Sequence, residues 1–270
     1  MTADDYEPPA SDRLLEIIDQ LCAGWQDFLA GSGREFISPR DTNRLLTAPL
    51  VMALASHVTE LGIAVAALVR GGSSGLTVMP LVRAMYESAI TGQWIAQLPD
   101  AAMAFINEDA RSREALAKDL PHARGRTFRE SVDVIRRQIV PKLTTSSEAQ
   151  ARAFKQRCLD LEVGGVDAYI YYRVASSLTH PSVLVADRYL ESVDGILRIG
   201  ARANDIGDAW IFLASASVVW AQMAANYCDP HRTRRSILRA IGRELGIEPE
   251  LKPSAAAWSR ASARKQTRQA

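Results

Sequence analysis

A short segment in the second half of the chain combines residue types that can bind an anion and move a proton. In a helix with about 100° per residue, Tyr169, Arg173 and Ser176 fall on one side. His180 follows Arg173 by about two turns of the same helix. A guanidinium can hold a phosphate through paired N–H groups, and an imidazole titrates near neutral pH. Arg173 and His180 are therefore candidate catalytic residues, with Tyr169 and Ser176 as substrate-positioning residues.

The same segment also fits a purely structural role. Ile170, Val174 and Leu178 lie on the other side of the predicted helix. Arg173 and His180 could then satisfy carbonyl and carboxylate groups where helices pack against each other. The two interpretations differ in one observable feature, because an exposed pair supports chemistry whereas a sealed pair supports packing.

A second polar pair, Arg83 and Glu87, interrupts an apolar helix-like segment. Arg before Glu is the weaker order for a surface pair, so surface stabilisation explains it poorly. A buried ion pair is costly unless it is well hydrogen-bonded, which favours a role in helix register or in a site. We expect Glu87 to contact Arg173 or His180, so that Arg83 and Glu87 also position a substrate. An internal network without a ligand is the alternative.

The sequence favours chemistry without a metal or cofactor. His57 and Glu60 are fragments of a helical di-metal site, which needs several carboxylates and two Glu-x-x-His pairs. The zincin His-Glu-x-x-His motif, the phosphate-binding P-loop and the Gly-x-Ser-x-Gly elbow are all missing. Cys22, Cys158 and Cys228 are far apart and lack CxxC spacing, so the sequence indicates neither a disulfide framework nor a zinc site.

A basic row follows the last strongly apolar segment. Its arginines share one helix face: Arg232, Arg235, Arg239 and Arg243. Such a row suits phosphate groups and makes these residues candidates for nucleic-acid binding. The alternative is an ordinary solvated helix face.

Hydrophobic periodicity predicts an all-α bundle of about eight or nine helices, without β-α-β alternation. The predicted helices are Ser11 to Ala30, Leu45 to Arg70, Leu76 to Gln97, Asp100 to Leu120, Phe128 to Val140, Ser147 to Leu161, Asp167 to His180, Asn204 or Asp205 to about Cys228, and His231 to Leu245. An Asp194-Gly195 turn between short apolar runs predicts a small β-hairpin near residues 189–199.

Length and composition favour one helical domain. The chain has 270 residues with 47% hydrophobic and 23% charged content, enough for a substantial core. We expect a flexible N-terminus over residues 1–10, a single helical domain over 11–249, and a disordered basic tail over 250–270. The first residues lack the features of a signal peptide, and polar residues interrupt the segment Leu45 to Arg70. We therefore expect a cytoplasmic protein without a membrane span.

Two of these patterns together resemble a known family. The residues that carry the resemblance are Arg83-x-x-x-Glu87 and Tyr172-Arg173-x-x-Ser176-x-x-x-His180-Pro181. They resemble an uncharacterised bacterial all-helical family, of the domain of unknown function 5677 type, over roughly residues 45 to 230. That resemblance implies a helical fold and supplies no activity.

A shorter pattern, Arg173-x6-His180, is similar to the Arg-x4-6-His signature of HEPN ribonucleases. These helical proteins of toxin and antiviral systems cut RNA without a metal, at an interface where Arg and His of two protomers meet. The resemblance implies that Arg173 holds the scissile phosphate, that His180 assists attack by the 2′-hydroxyl, and that the partners are a second copy, RNA and an antitoxin or defence protein. The position after the Arg is usually polar in that family, and here it is Val174.

Two hypotheses of different classes follow from these residues. The first is a metal-independent ribonuclease, acting as a homodimer in a toxin or phage-defence system. The second is a non-catalytic helical scaffold or small-ligand sensor in which the polar residues specify packing. Exposure of His180 distinguishes the two.

Overall fold

The protein is built from helices whose ranges largely follow the hydrophobic periodicity of the sequence. The computed structural model describes residues 7–31, 42–200 and 207–267. The helices are α1 (Ser11–Ala30), α2 (Thr42–Arg70), α3 (Gly75–Gln97), α4 (Ala101–Asp119), α5 (Arg126–Glu130), α6 (Val132–Arg137), α7 (Glu148–Arg152), α8 (Phe154–Leu159), α9 (Gly165–Ser177), α10 (Val183–Asp187), α11 (Asp208–Cys228), α12 (Arg235–Glu244) and α13 (Ala255–Thr267). The predicted all-α class, with one small hairpin, is confirmed.

The long helices α1, α2, α3 and α11 pack together and form the core. Helix α1 buries one apolar stripe, which includes Leu14, Ile18 and Trp25, and leaves its charged side in solvent. Helix α11 is apolar nearly all round and lies almost entirely inside the bundle. A helix of that composition needs partners on every side, which the other three core helices supply.

A tight turn joins α2 to α3 and returns the chain along the bundle. Gly72 adopts φ +71°, a conformation that a glycine takes without strain. The N–H of Ser73 donates to the carbonyl of Leu68 at 2.9 Å, which closes the end of α2. The Ser74 hydroxyl accepts from the N–H of Thr77 and caps α3.

A second layer, formed by α4 to α9, packs against α3. In this layer two helices that the sequence predicts as continuous are each divided into two. The predicted helix Phe128 to Val140 is split into α5 and α6 at Ser131, whose hydroxyl donates to the carbonyl of Phe128 at 2.8 Å and competes with helical bonding. The predicted helix Ser147 to Leu161 is split into α7 and α8 at Ala153, which is extended with φ −130° and ψ 119°.

Helix α9 ends at Ser177 rather than at His180. Hydroxyl groups bond the last carbonyls, since Ser177 Oγ donates to Val174 and Thr179 Oγ1 donates to Ser176. These bonds replace the next helical turn, which the following proline would in any case oppose. His180 therefore lies in the turn that follows α9.

The predicted hairpin is present as β1 (Leu190–Val193) and β2 (Ile196–Ile199), which pair antiparallel with Val193 opposite Ile196. Asp194 and Gly195 both have positive φ, at 51° and 74°, as a two-residue type I′ turn requires. Every residue of β2 is exposed, so this hairpin projects from the bundle.

The C-terminal segment corrects the expectation of a disordered tail over residues 250–270. Residues 255–267 form α13, which buries Ala257 and Ala261 against the bundle. The preceding chain pairs with the end of α8, where the N–H of Ser254 donates to the carbonyl of Asp160 at 2.7 Å. Composition alone predicted disorder because small alanines give almost no periodic signal, although they allow close helix packing.

Three predictions fall wholly or partly on residues that the structure leaves out. Of the expected flexible segment 1–10, residues 1–6 lie outside the described ranges, and residues 7–10 precede α1 without regular structure. The predicted helix start at Asn204 or Asp205 lies outside them as well. The last part of the expected tail, residues 268–270, is also not described.

Two described helices, α2 and α11, are long and apolar enough to cross a membrane by length and composition. Both are members of the core bundle, in which α11 is the more deeply buried. Less than half of the apolar stretch of α2 is buried, so the expectation that this segment is buried in protein holds only in part.

Candidate functional site

Helix α9 turns Tyr172 and its buried alanines towards α3 and its aliphatic residues outwards. Ala168 and Ala175 are buried, and the carbonyl of Ala168 accepts from the Tyr86 hydroxyl of α3 at 2.9 Å. On the outer side, Val166 and Ile170 are 62% and 51% exposed. Val166, Ile170 and Val174 form the apolar row of α9, which has no covering element among the described residues.

Arg173 and His180, the candidate catalytic residues, are both exposed. Neither side chain forms a hydrogen bond or an ion pair with any residue that the structure describes. The backbone N–H of His180 donates to the carbonyl of Ser176 at 3.2 Å, which ties the turn to the end of α9. Their donor groups are therefore available to an external anion.

The two predicted positioning residues of α9 lie closer to the bundle. Tyr169 is half-buried, stacks on Tyr172 with ring centroids 6.1 Å apart, and has the Lys155 ammonium 5.5 Å from its ring centroid. Ser176 is also half-buried. On α9 the predicted polar side thus runs from the half-buried Tyr169 to the exposed Arg173, and His180 lies beyond the end of the helix that was predicted to carry it.

Arg83 is joined to α9 through Tyr172. Its Nη2 atom donates to the Tyr172 hydroxyl at 2.7 Å and lies 3.5 Å from Glu87 Oε2. The Arg83 guanidinium also lies 4.9 Å from the centroid of the Tyr172 ring, a cation–π distance. The Nε atom of Arg83 is buried without a hydrogen-bond partner.

Arg157 of α8 is the third charged member of this region. Its Nη2 atom lies 3.5 Å from Glu87 Oε1, and its side chain is 8% exposed. Burial lowers the pKa of Arg157, and the charge of Glu87 opposes that effect. We call Arg83, Glu87 and Arg157 the central ion cluster.

The expected contact of Glu87 with Arg173 or His180 was wrong. The ion-pair partners of Glu87 in the described residues are Arg83 and Arg157. The physical reason is the orientation of α9, which presents Tyr172 to α3 and leaves Arg173 in solvent.

A neighbouring ion pair joins α13 to the residue that follows α8. Asp160 is 8% exposed in its side chain and accepts from Arg260 Nη1 at 3.0 Å and from Arg260 Nη2. The indole N–H of Trp94 donates to the same carboxylate at 3.3 Å. This pair has the direct, two-pronged geometry that Arg and carboxylate groups adopt when they satisfy each other.

A carboxylate of the same chain neutralises part of the positive charge of the basic row on α12. Arg235 and Arg239 both donate to Glu250 Oε1, at 3.0 Å and 2.7 Å. Burial opposes ionisation of Glu250, but the hydrogen bonds from these arginines outweigh it and lower the pKa of that carboxyl. Arg232 and Arg243 are exposed and keep their charge free of any described carboxylate.

Neither Arg157 nor the contact role of Tyr172 is predicted by the sequence pattern. Arg157 lies between Phe154 and Cys158 in a short segment, where one basic residue is an ordinary surface signal. The position of Tyr172 on a helical wheel does not predict its contact, because its partner Arg83 lies on another helix. Arg157 meets Glu87 because α8 packs against α3. No pattern within one segment of the sequence predicts this packing.

Metal binding has no obvious location in the described ranges, because no three His, Cys, Asp or Glu side chains lie together there. The fragment His57 and Glu60 belongs to α2 and stands apart from the cluster on α3, α8 and α9. The polar chemistry of the site therefore comes from guanidinium, carboxylate, phenol and imidazole groups.

Comparison with known proteins identifies one relationship. A family model described as a family of unknown function, DUF5677, matches residues 49–196, more than half of the chain. No curated protein and no solved structure matches. The matched segment contains the central ion cluster, α9 and His180, and ends before α11 and α12. The chain belongs to this family of unknown function.

Proposed function

We propose that the protein is a metal-independent endoribonuclease whose reactive pair is Arg173 and His180, and that it acts as a homodimer in the bacterial cytoplasm. The proposal rests on the exposure of these two side chains and on their lack of an acidic partner among the described residues. Both are exposed, Arg173 on α9 and His180 in the turn that follows it, and neither is neutralised by a described acid. A guanidinium and an imidazole in that state can engage the same phosphodiester.

The proposed RNA cleavage needs one group that binds the phosphate and one group that transfers a proton. Arg173 holds the scissile phosphate, and His180 accepts the proton of the ribose 2′-hydroxyl. The 2′-oxygen attacks phosphorus, and the bond from phosphorus to the 5′-oxygen breaks. The products are a 2′,3′-cyclic phosphate and a 5′-hydroxyl, whose proton comes from water or from the partner's His180.

The apolar row of α9 supports the homodimer part of the proposal. Three aliphatic side chains one turn apart form a stripe that a second copy could cover. This stripe lies on the helix that carries Arg173, so pairing there would bring two reactive pairs near each other. Arg232 and Arg243, which keep unpaired charges, can add contacts to RNA phosphates. An antitoxin or defence protein would be the partner that restrains such an enzyme.

The experiment follows cleavage of a fluorescent RNA in a buffer containing a metal chelator. We expect the wild type to release fragments with 2′,3′-cyclic phosphate ends, and His180→Ala to lower the rate about 10²–10⁴-fold. His231→Ala, a change of another exposed histidine, is the matched control and should keep the wild-type rate. Equal cleavage by wild type and His180→Ala would end the proposal.

The central ion cluster favours a second candidate, a non-catalytic scaffold or small-ligand sensor. Arg157 and Glu87 join α8 to α3, and Arg83 joins α3 to α9 through Tyr172. Such cross-helix contacts can specify packing without any reaction. A wild-type protein that cleaves no RNA but loses stability on removal of Glu87 would favour this candidate.

A further inference from the structure

The central ion cluster holds an excess of positive charge in a mostly buried place. Two guanidinium groups, Arg83 and Arg157, share the single carboxylate of Glu87, which leaves a formal charge of about +1. Glu108 is the next acid that influences Arg157, and it is already hydrogen-bonded to Arg111. A buried cation without a full counter-charge is costly unless something neutralises it.

Hydrogen bonding in the cluster is also incomplete. The Arg157 side chain donates no hydrogen bond to any described residue, and its Nε atom is fully buried. The Nε atom of Arg83 is buried and unpartnered in the same way. The buried Arg157 guanidinium therefore has donor groups that no described residue accepts from.

Glu87 lies near both arginines but is not hydrogen-bonded to them. It lies 3.5 Å from each guanidinium, beyond the usual 2.7–2.9 Å of a charge-assisted bond, and it forms no hydrogen bond with either one. The Asp160–Arg260 pair shows that this protein does build direct Arg–carboxylate bonds nearby, at 3.0 Å. The two pairs therefore differ in their Nη contacts to the carboxylate, although the Nε atom of Arg260 is also buried without a partner.

The cluster is open to solvent on one side. The side chains of Glu87 and Arg83 are 32% and 23% exposed, whereas Arg157 is 8% exposed. A small molecule could enter past Glu87 and meet the arginines, with the Tyr172 hydroxyl beside them. Guanidinium forks match the paired oxygens of carboxylate and phosphate groups.

We propose that the central ion cluster binds a small oxyanion on its solvent-exposed side, with the terminal Nη groups of Arg83 and Arg157 as its ligands and Glu87 as a competing internal anion. The anion accepts from these Nη groups and neutralises the excess charge. This proposal uses neither Arg173 nor His180, so its failure leaves the ribonuclease proposal standing, and the reverse holds as well.

The experiment is a titration with inorganic phosphate, followed by calorimetry and by thermal unfolding, in a zwitterionic buffer with sodium chloride at constant ionic strength. We expect wild type to bind phosphate and to gain several degrees in Tm at saturation. Arg83→Gln should weaken phosphate binding about tenfold or more, because it removes one ligand. Glu87→Gln should tighten binding about tenfold, because it removes the competing carboxylate.

A binding site predicts that Arg83→Gln and Glu87→Gln change the phosphate affinity in opposite directions. A purely structural cluster predicts that neither wild type nor any variant binds phosphate. Glu130→Gln is the matched control: it removes a carboxylate paired with Arg126 at 2.6 Å on the surface and should leave phosphate affinity unchanged. Parallel titration with acetate distinguishes a carboxylate ligand from a phosphate ligand. Absence of binding of both anions to wild type would overturn the proposal without any variant. Equal affinities in wild type and in the folded Arg83→Gln and Glu87→Gln variants would overturn it as well.

Discussion

Single residues in this protein divide into charges that are satisfied and charges that are not. Asp160 and Arg260 are joined by two direct hydrogen bonds, while Arg157 is buried with a single ion-pair contact at 3.5 Å. Arg173 is also without a partner among the described residues, but it is exposed and solvated at little cost. An unpaired arginine therefore has a different meaning on α8 than on α9.

At the residue scale, Glu87→Ala should lower the Tm by about 3–6 °C in phosphate-free buffer. Glu87 is the only described ion-pair partner of Arg157, so its loss leaves a buried cation uncompensated. The full cost of breaking a buried pair is about 3–5 kcal/mol, and the partial exposure of Glu87 reduces it to about 1–2 kcal/mol. Differential scanning calorimetry measures the shift, with Glu130→Ala as the surface control. A Tm equal to that of wild type would show that Glu87 does not stabilise the cluster.

Individual elements differ in how far the sequence predicts them. The range of α1 is predicted to the residue, and α2, α3 and α4 to within a few residues, because long amphipathic or apolar runs carry a strong periodic signal. The breaks at Ser131 and Ala153 depend on single side-chain bonds and on packing, which periodicity does not contain. The partners of Glu87 depend on which face α9 turns to α3, and a helical wheel cannot fix that face from within one helix.

At the element scale, Glu250 connects α12 to the segment before α13, and this connection should be sensitive to acid. The pKa of Glu250 is lowered below its ordinary value of 4.5 in the folded protein, so the folded state binds this proton less readily than the unfolded state. The stabilisation is therefore complete above pH 4.5 and is lost as pH falls through the lower, folded value.

Urea unfolding at pH 7, 5, 4 and 3 measures that loss. We expect Glu250→Gln to be less stable than wild type at pH 7, with a difference that shrinks as the pH falls. Other carboxyl groups titrate in both proteins, so the comparison isolates Glu250. A difference that stays constant from pH 7 to pH 3 would contradict the assigned role of this carboxylate.

The whole molecule presents an uneven surface. The bundle of α1, α2, α3 and α11 buries its apolar residues, whereas α9, α10 and the hairpin leave many exposed. In β2, Leu197 and Ile199 are 71% and 89% exposed, and a two-stranded hairpin has little stability of its own in water. An exposed apolar region of this kind is typical of a protein-binding surface.

At this scale, the proposed homodimer predicts the behaviour of a surface variant. Wild type should elute as a dimer in size-exclusion chromatography with light scattering at micromolar concentration. Changing Ile170 and Val174 together to Asp should produce a monomer with nearly unchanged Tm, because both side chains are exposed at 51% and 43%. Phe128→Asp, at an exposed site on α5, is the control and should leave the dimer intact. A wild-type monomer, or a double variant that still dimerises, would contradict pairing through α9.

The central claim is that Arg173 and His180 cut RNA by using its own 2′-hydroxyl. Its most direct measurement uses a DNA oligonucleotide with one ribonucleotide, incubated with the purified protein in the presence of chelator. We predict a single cut on the 3′ side of that ribonucleotide, with a cyclic phosphate end, and no cut by His180→Ala or Arg173→Ala. An intact oligonucleotide after incubation with wild type, or the same cut made by His180→Ala, would contradict the account.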